Sequence, residues 1–229
     1  MRSILLYNSV IFIMKKGFFS FVENACRMLH MECRYNRRFI LPAMAPSEYA
    51  FLKLKMQSMR DFVYIEYGCG GSTLLANAIF KVGYSVDSDK KWCSLIGRDL
   101  SNIHLFNVNV GEIGDWGFPA VRCKKFANDL AGAHNLKIEE IKRTQSRRVF
   151  VLIDGRCRVL TACNVFERVD LEDVVLVHDF IFRPEYYEIL KLWDIVAVQG
   201  SLVQLRKKDL VSPNPIIQLL MDEYSCDFR

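Results

Sequence analysis

Seven short apolar stretches run along this chain, and stretches with helical spacing of apolar residues separate the first five of them. Strands that alternate with helices form parallel sheets with right-handed crossovers. The last two stretches are joined by a turn at 199–201, which is short enough for a β-hairpin. The pattern predicts an α/β fold with five parallel strands, a C-terminal antiparallel hairpin and helices on both faces. The predicted strands are 62–66, 82–87, 103–108, 149–153, 174–178, 194–198 and 202–206.

Length and composition agree with one such domain. A chain of 229 residues can bury one large core and leaves little room for a second. Apolar residues make up 51% of it, which suits a sheet covered on both faces. The net charge of +5 is spread along the chain, so it does not indicate a nucleic-acid partner. The eight cysteines lack the dense spacing of a secreted disulfide scaffold and favour a reducing, cytoplasmic setting.

The predicted organisation has three parts. Residues 1–38 form an N-terminal extension with helices, 39–210 form the α/β domain, and 211–229 form a C-terminal tail. Within the domain, Pro46-Ser47-Glu48 is typical of a helix start with Ser47 as the N-cap. An apolar run at 4–14 has about half the length of a membrane span, so membrane attachment is not favoured, and Met14 is an alternative start of the chain.

Residues 64–73, with the sequence YIEYGCGGST, run from a strand through glycines into a helix. Glycine allows a sharp turn and lets a ligand approach the backbone and the N-terminus of the helix. Asp87 closes the next predicted strand, where a carboxylate can accept hydrogen bonds from ribose hydroxyls. Turn and carboxylate together predict a nucleotide-like cofactor.

Glu66 stands two residues before Gly68, and this E-x-G-x-G pattern resembles motif I of class I S-adenosylmethionine-dependent methyltransferases. A dinucleotide-binding turn has a third glycine where this chain has Thr73. The resemblance implies a Rossmann-like seven-stranded methyltransferase sheet with S-adenosylmethionine as cofactor, and an acidic residue that helps to hold its methionine end. The cofactor-binding residues it implies are Glu66, Gly68, Gly70, Gly71, Ser72, Asp87 and Asn109.

Two further motifs resemble a little-characterised branch of methyltransferase-like proteins. Residues 153–159 read IDGRCRV, and residues 177–186 contain H-D-x(3)-R-P-x-Y. Segments at 46–48 and 111–119 resemble the same branch, so the resemblance spans about residues 40–207. Asn109 stands where the branch usually has Asp, and Cys157 where it has Phe.

The carboxyl ends of parallel strands meet at one edge, so His178, Asp154 and Asp179 are predicted to share a cleft and to be catalytic. Methyl transfer needs an aligned donor and acceptor, and a base where the acceptor loses a proton. The ordinary pKa of histidine makes His178 the candidate base, although it could instead only hydrogen-bond a neighbouring loop. The same three residues could alternatively bind a divalent cation, but a third carboxylate or amide is missing and no metal is predicted.

Arg156 and Arg183 are candidates to bind an anionic acceptor, and Trp116 and Tyr186 to line its pocket. The alternative for the arginines is pairing with nearby carboxylates. The sequence predicts an S-adenosylmethionine-binding methyltransferase that acts on an unidentified, small or anionic acceptor. Two alternatives stay open: a non-catalytic binding protein with this fold, and a Rossmann-type NAD(P)-dependent oxidoreductase.

Overall fold

The computed structural model describes residues 42–114, 117–145 and 147–229, and Met44–Arg229 form one compact unit. The predicted N-terminal extension and Trp116 lie outside the described residues. Elements are numbered below in chain order over the described part.

A seven-stranded sheet forms the centre of the unit, in the order β3-β2-β1-β4-β5-β7-β6. The first five strands are parallel, β7 pairs antiparallel with β5, and β6 and β7 form the hairpin. This confirms the predicted α/β fold. The strands are β1 (Val63–Tyr67), β2 (Gly83–Asp87), β3 (Ile103–Asn107), β4 (Val149–Ile153), β5 (Val174–Val177), β6 (Trp193–Gln199) and β7 (Leu202–Lys207).

Helices cover both faces of the sheet, as buried parallel strands require. One core cluster packs the α1 and α2 side chains against one face, and a larger cluster packs α4 to α7 against the other. The strands β1 and β4 are buried along their whole length. The helices are α1 (Pro46–Ser58), α2 (Gly71–Ile79), α3 (Lys90–Ile96), α4 (Lys124–Ala131), α5 (Asn135–Glu140), α6 (Arg158–Arg168) and α7 (Asn214–Glu223), with a 3-10 turn at Gly97–Asp99, a 3-10 helix at Pro184–Lys191 and a π-helix at Ile141–Gln145.

The sheet order fixes where the loops meet. Chain order along the sheet reverses between β1 and β4, and a ligand cleft in open α/β sheets lies beyond the carboxyl ends of the strands at such a reversal. The loops that follow β1, β2, β4 and β5 therefore converge on one edge.

Two local predictions were wrong. The N-cap of α1 is Ala45, not Ser47, because Pro46 occupies the first helical position and the Glu48 carboxylate accepts the Ala45 N–H at 2.8 Å. The segment predicted as a tail contains α7, whose Ile217 and Leu220 are buried in the larger core cluster. None of the helices in the described ranges is long and apolar enough to cross a membrane.

Candidate active site

Two glycines bring the β1 and β4 loops into backbone contact at the strand-order reversal. Gly68 has a φ of +96°, a conformation that side chains oppose. A Cβ at Gly68 would lie 2.5 Å from the Gly155 nitrogen, and a Cβ at Gly155 would lie 2.9 Å from the Gly68 nitrogen. The glycine turn and the loop after β4 thus form one tightly packed floor.

Four hydroxyl groups surround the Glu66 carboxylate, which is fully buried. One oxygen accepts hydrogen bonds from Tyr64 at 2.9 Å and Ser72 at 2.5 Å, and the other accepts from Thr73 at 2.5 Å and Ser85 at 2.6 Å. Burial raises the pKa of Glu66 to about 7, although these hydrogen bonds oppose the rise. The resemblance to motif I implied a contact with the cofactor; the structure instead places this carboxylate inside the protein, where it ties the first turn of α2 to β1 and β2.

Asp87 ends β2 beside the glycine turn. Its carboxylate accepts the Cys69 N–H at 3.0 Å with one oxygen and the Asp89 N–H at 2.8 Å with the other. Burial raises the pKa of Asp87 to about 6, although both N–H groups lower it. The Trp92 indole donates to the Cys69 carbonyl at 2.7 Å, so the turn is held from the side of α3 as well. The predicted proximity of turn and carboxylate is present.

The loop after β3 folds back over these strand ends. Its Asn109 is exposed, and the side-chain oxygen accepts the backbone N–H two residues further on at 3.0 Å. Ser88 donates to the Gly117 carbonyl at 3.1 Å, and the Arg156 guanidinium lies 3.7 Å from the centre of the Phe118 ring. Burial and the charge of a neighbouring arginine lower the pKa of Arg156 to about 10. Arg156 therefore joins the β4 loop to the loop after β3 through its contact with Phe118.

The three predicted catalytic residues meet at the ends of β4 and β5. His178 Nδ1 lies 2.9 Å from Asp154 Oδ1 and 3.9 Å from Asp179 Oδ1. The His178 side chain is buried, whereas 21% of the Asp154 side chain and 39% of that of Asp179 are exposed. Of the three, the two carboxylates are the groups that a ligand can reach.

Glu48 completes this cluster, although the sequence analysis does not assign it to the site. Its Oε2 lies 3.4 Å from His178 Nε2, and its Oε1 accepts the Ser201 N–H at 2.5 Å and the Ser201 hydroxyl at 2.8 Å. Gly200 is needed beside it, because a Cβ there would lie 2.4 Å from Glu48 Oε1. The carboxylate therefore connects the start of α1 to the β6–β7 turn and to β5.

Two carboxylates hold His178 in its protonated form. Burial alone would lower the pKa of His178, but the charge of Asp154 and hydrogen bonds to Asp154 and Glu48 raise it to about 10. An imidazolium has no lone pair and cannot accept a proton, so the prediction of His178 as a base near neutral pKa is not met. Burial raises the pKa of Asp154, but the charges of His178 and Arg158 outweigh it and keep the pKa below its ordinary value.

Arg158 is a second buried cation in the cluster. Its guanidinium donates to the carbonyl oxygens of Gly155, His178 and Asp154 at 3.0, 3.0 and 2.9 Å, and to Asp154 Oδ1 at 3.1 Å. It also lies 3.3 Å from Asp179 Oδ2. These contacts assign Arg158 to the support of the loops after β4 and β5.

Of the predicted acceptor residues, Arg183 and Tyr186 are neighbours, with the Arg183 guanidinium 5.8 Å from the centre of the Tyr186 ring. Arg183 lies 3.4 Å from Asp179, which is the local pairing considered above. Tyr186 is 2% exposed and packs with its ring 5.5 Å from the Arg158 guanidinium, so it belongs to the core. Arg156 packs against Phe118 of the loop after β3, and Trp116 lies outside the described residues.

No group of three or more His, Cys, Asp or Glu side chains among the described residues is arranged to hold a metal ion. Both His178 nitrogens already face carboxylates.

Searches with the sequence find no matching protein-family model and no matching curated protein. Solved structures do match. A methyltransferase-like protein from Silicibacter pomeroyi is 23% identical, with 80% of this chain and 96% of that chain covered and a TM-score of 0.64. This likeness confirms the seven-stranded methyltransferase fold.

Weaker matches include two named methyltransferases. An N-methyltransferase from Bradyrhizobium japonicum, in complex with S-adenosylhomocysteine, is 10% identical, with 72% of this chain and 89% of that chain covered and a TM-score of 0.43. A precorrin-6y C5,15-methyltransferase from Geobacter metallireducens is 12% identical, with 72% and 90% covered and a TM-score of 0.44.

Proposed function

We propose that this protein binds S-adenosylmethionine at the glycine turn and transfers its methyl group to a small or anionic acceptor. The observation that carries the proposal is the hydrogen bond from the Cys69 N–H to Asp87, which joins a motif I turn to the carboxylate at the end of the next strand. Both lie beside the strand-order reversal, where open α/β sheets bind ligands. The fold shared with the methyltransferase-like protein supports the same conclusion.

The residues at this edge fit the cofactor chemically. The Asp87 carboxylate can accept hydrogen bonds from ribose hydroxyls in addition to those from the two backbone N–H groups. There is space beside Gly70, because the nearest atom of the described residues to a Cβ placed there would be in the Trp92 ring at 3.9 Å. Asn109 offers an exposed amide for an adenine edge. The cofactor would supply the electrophilic methyl group.

The acceptor would attack through an anionic oxygen, such as that of a carboxylate, so no proton is released when the methyl group is transferred, and the residues of the β4 and β5 loops would position this acceptor. Asp154 is held ionised by two cations, so it can accept a hydrogen bond from a separate hydroxyl or ammonium group of the acceptor molecule. Arg156 beside Phe118 would attract an acidic group of the acceptor. In-line transfer from a sulfonium requires mainly this alignment, and exclusion of water by the loop after β3 would assist it.

Calorimetric titration with S-adenosylmethionine, S-adenosylhomocysteine and NAD tests the proposal. Both sulfur compounds should bind and NAD should not. Asp87→Ala should weaken binding by about 1–3 kcal/mol, the usual cost of losing a charged hydrogen-bond partner. Asp61→Asn is the matched control, because Asp61 pairs with Lys81 on the exposed surface. Binding of NAD alone would support the oxidoreductase instead.

Binding without turnover defines the second candidate, a non-catalytic binding protein with this fold. The observation that favours it is the contact of each His178 ring nitrogen with a carboxylate, at 2.9 Å and 3.4 Å, because these carboxylates raise the pKa of His178 to about 10 and so disfavour the neutral ring that a base requires. Incubation with S-adenosylmethionine and a panel of small carboxylic and phosphorylated acceptors separates the two. Formation of S-adenosylhomocysteine that depends on one acceptor establishes the enzyme.

A further inference from the structure

Glu48 lies far from the proposed site in sequence, yet it is built into it. The side chain is 5% exposed, and both of its oxygens are occupied by partners from three parts of the fold. These are the Ala45 N–H, the backbone and hydroxyl of Ser201, and His178. Such burial of a carboxylate is tolerated only where charge and hydrogen bonds compensate it.

The contacts continue from Glu48 to the glycine turn in short steps. His178 stands between Glu48 and Asp154, with one ring nitrogen toward each. The Asp154 backbone N–H donates to the Tyr67 carbonyl at 2.8 Å, next to Gly68. A Cβ at Gly68 would come within 2.8 Å of the Asp154 carbonyl carbon, so the β4 loop cannot shift without disturbing the turn.

We propose that Glu48 is a positioning residue of the cofactor site: it holds His178 as a cation, and through His178 it fixes Asp154 and the β4 loop against the glycine turn. The inference rests on the proposed function for its effect on cofactor affinity, but the Glu48–His178 contact can be tested without any cofactor.

The other groups that face His178 do not replace Glu48. Asp154 and Asp179 lie on the Nδ1 side, and Arg158 contacts the His178 carbonyl rather than the ring. Nε2 has its described carboxylate partner in Glu48, supported by the hydrogen bonds from Ser201. Burial would raise the pKa of Glu48, but hydrogen bonds from His178, Ser201 and Ala45 lower it to about 2, so it stays charged at all pH values of interest.

The test is Glu48→Gln, which keeps shape and removes charge. Long-range proton–nitrogen NMR of the free protein, with His178→Gln to assign the signal, follows the His178 ring through a pH titration. The wild-type ring should stay doubly protonated to well above pH 8, and in Glu48→Gln its pKa should fall by about 1–3 units, the usual effect of losing an adjacent charge. Asp61→Asn, an exposed acidic residue, should leave it unchanged.

The second readout is the affinity for S-adenosylhomocysteine as a function of pH. In the wild type, titration of His178 should not change this affinity in the neutral pH range. In Glu48→Gln, the affinity should fall several-fold as the pH passes the lowered His178 pKa. When His178 is already replaced by Gln, the additional change Glu48→Gln should cause no further pH-dependent loss of affinity for S-adenosylhomocysteine. A merely structural role would lower stability equally at every pH and would leave the ring titration in place.

Three results of these measurements would refute either the role of Glu48 or the proposed function. A wild-type His178 that titrates near pH 6.5 overturns the inference even if Glu48→Gln fails to fold. An unchanged His178 pKa in a folded Glu48→Gln variant overturns it as well. If the ring titration shifts as expected but the wild type binds no S-adenosylhomocysteine, the ionic contact stands and the proposed function fails.

Discussion

Gly68→Ala should be far more destabilising than Gly70→Ala, although the two glycines are neighbours in one turn. At Gly68 the backbone has a φ of +96°, which costs a non-glycine residue about 1–2 kcal/mol. The added methyl would lie 2.5 Å and 2.6 Å from the Gly155 nitrogen and Cα, and backbone atoms of a buried loop cannot move aside easily. Overpacking of this kind costs about 1–3 kcal/mol more.

Gly68→Ala should therefore lower the unfolding free energy by about 2–5 kcal/mol. A few tenths of a kcal/mol of this are offset, because alanine reduces the conformational entropy of the unfolded chain. At Gly70 the φ of 175° is ordinary extended backbone and the nearest atom lies 3.9 Å away. Its alanine variant should change the unfolding free energy by less than about 1 kcal/mol. Urea unfolding without cofactor measures both. Equal losses at the two positions would refute the claim that the β1 and β4 loops are in backbone contact.

Two further substitutions test the buried charges. Burial raises the pKa of Glu66 to about 7 in the folded state. The contribution of Glu66 to the unfolding free energy is therefore greatest below pH 4.5 and is lost as the pH rises to 7. Urea unfolding of Glu66→Gln should show a weaker dependence of the unfolding free energy on pH between 4.5 and 7. Arg158→Met leaves Asp154 without one of its two cations and should lower the unfolding free energy by about 3–5 kcal/mol. The control is Arg206→Met, which breaks an exposed ion pair and should change the unfolding free energy by less than about 1 kcal/mol. Similar losses in the two variants would contradict the buried network.

Much of the fold follows from local sequence patterns. The seven predicted strands overlap the observed ones, and each observed boundary lies within a residue or so of the prediction. Gly200, with its positive φ, marks the hairpin turn as predicted. Such elements are predictable because the spacing of apolar residues, the positions of glycines and the length of a strand are properties of neighbouring residues.

The support of the site was not predictable in the same way. Glu48 reads as an ordinary first-turn residue of α1, and its contact with Ser201 joins residues 153 positions apart. No local pattern around Arg158 indicates that its donors are used by the loops of β4 and β5. Glu66 stands in a pattern that resembles motif I, but only the structure shows that four hydroxyls surround it. Long-range polar contacts leave no periodic signal in a single sequence.

The protonation of His178 can be tested through stability alone, because a bound proton is linked to folding. Its pKa of about 10 in the folded state lies above the value of about 6.5 for an unfolded histidine. The native state therefore binds the proton more tightly, and the stabilisation is complete below pH 6.5 and is lost as pH rises through 10. The difference in unfolding free energy between the wild type and His178→Gln isolates this group from the lysines, tyrosines and cysteines that titrate in the same range. That difference should shrink steadily from pH 6.5 to pH 10. If it stays constant there, His178 is neutral in the folded protein, both of its carboxylate contacts are weaker than the distances indicate, and the assignment of His178 as a base becomes tenable again.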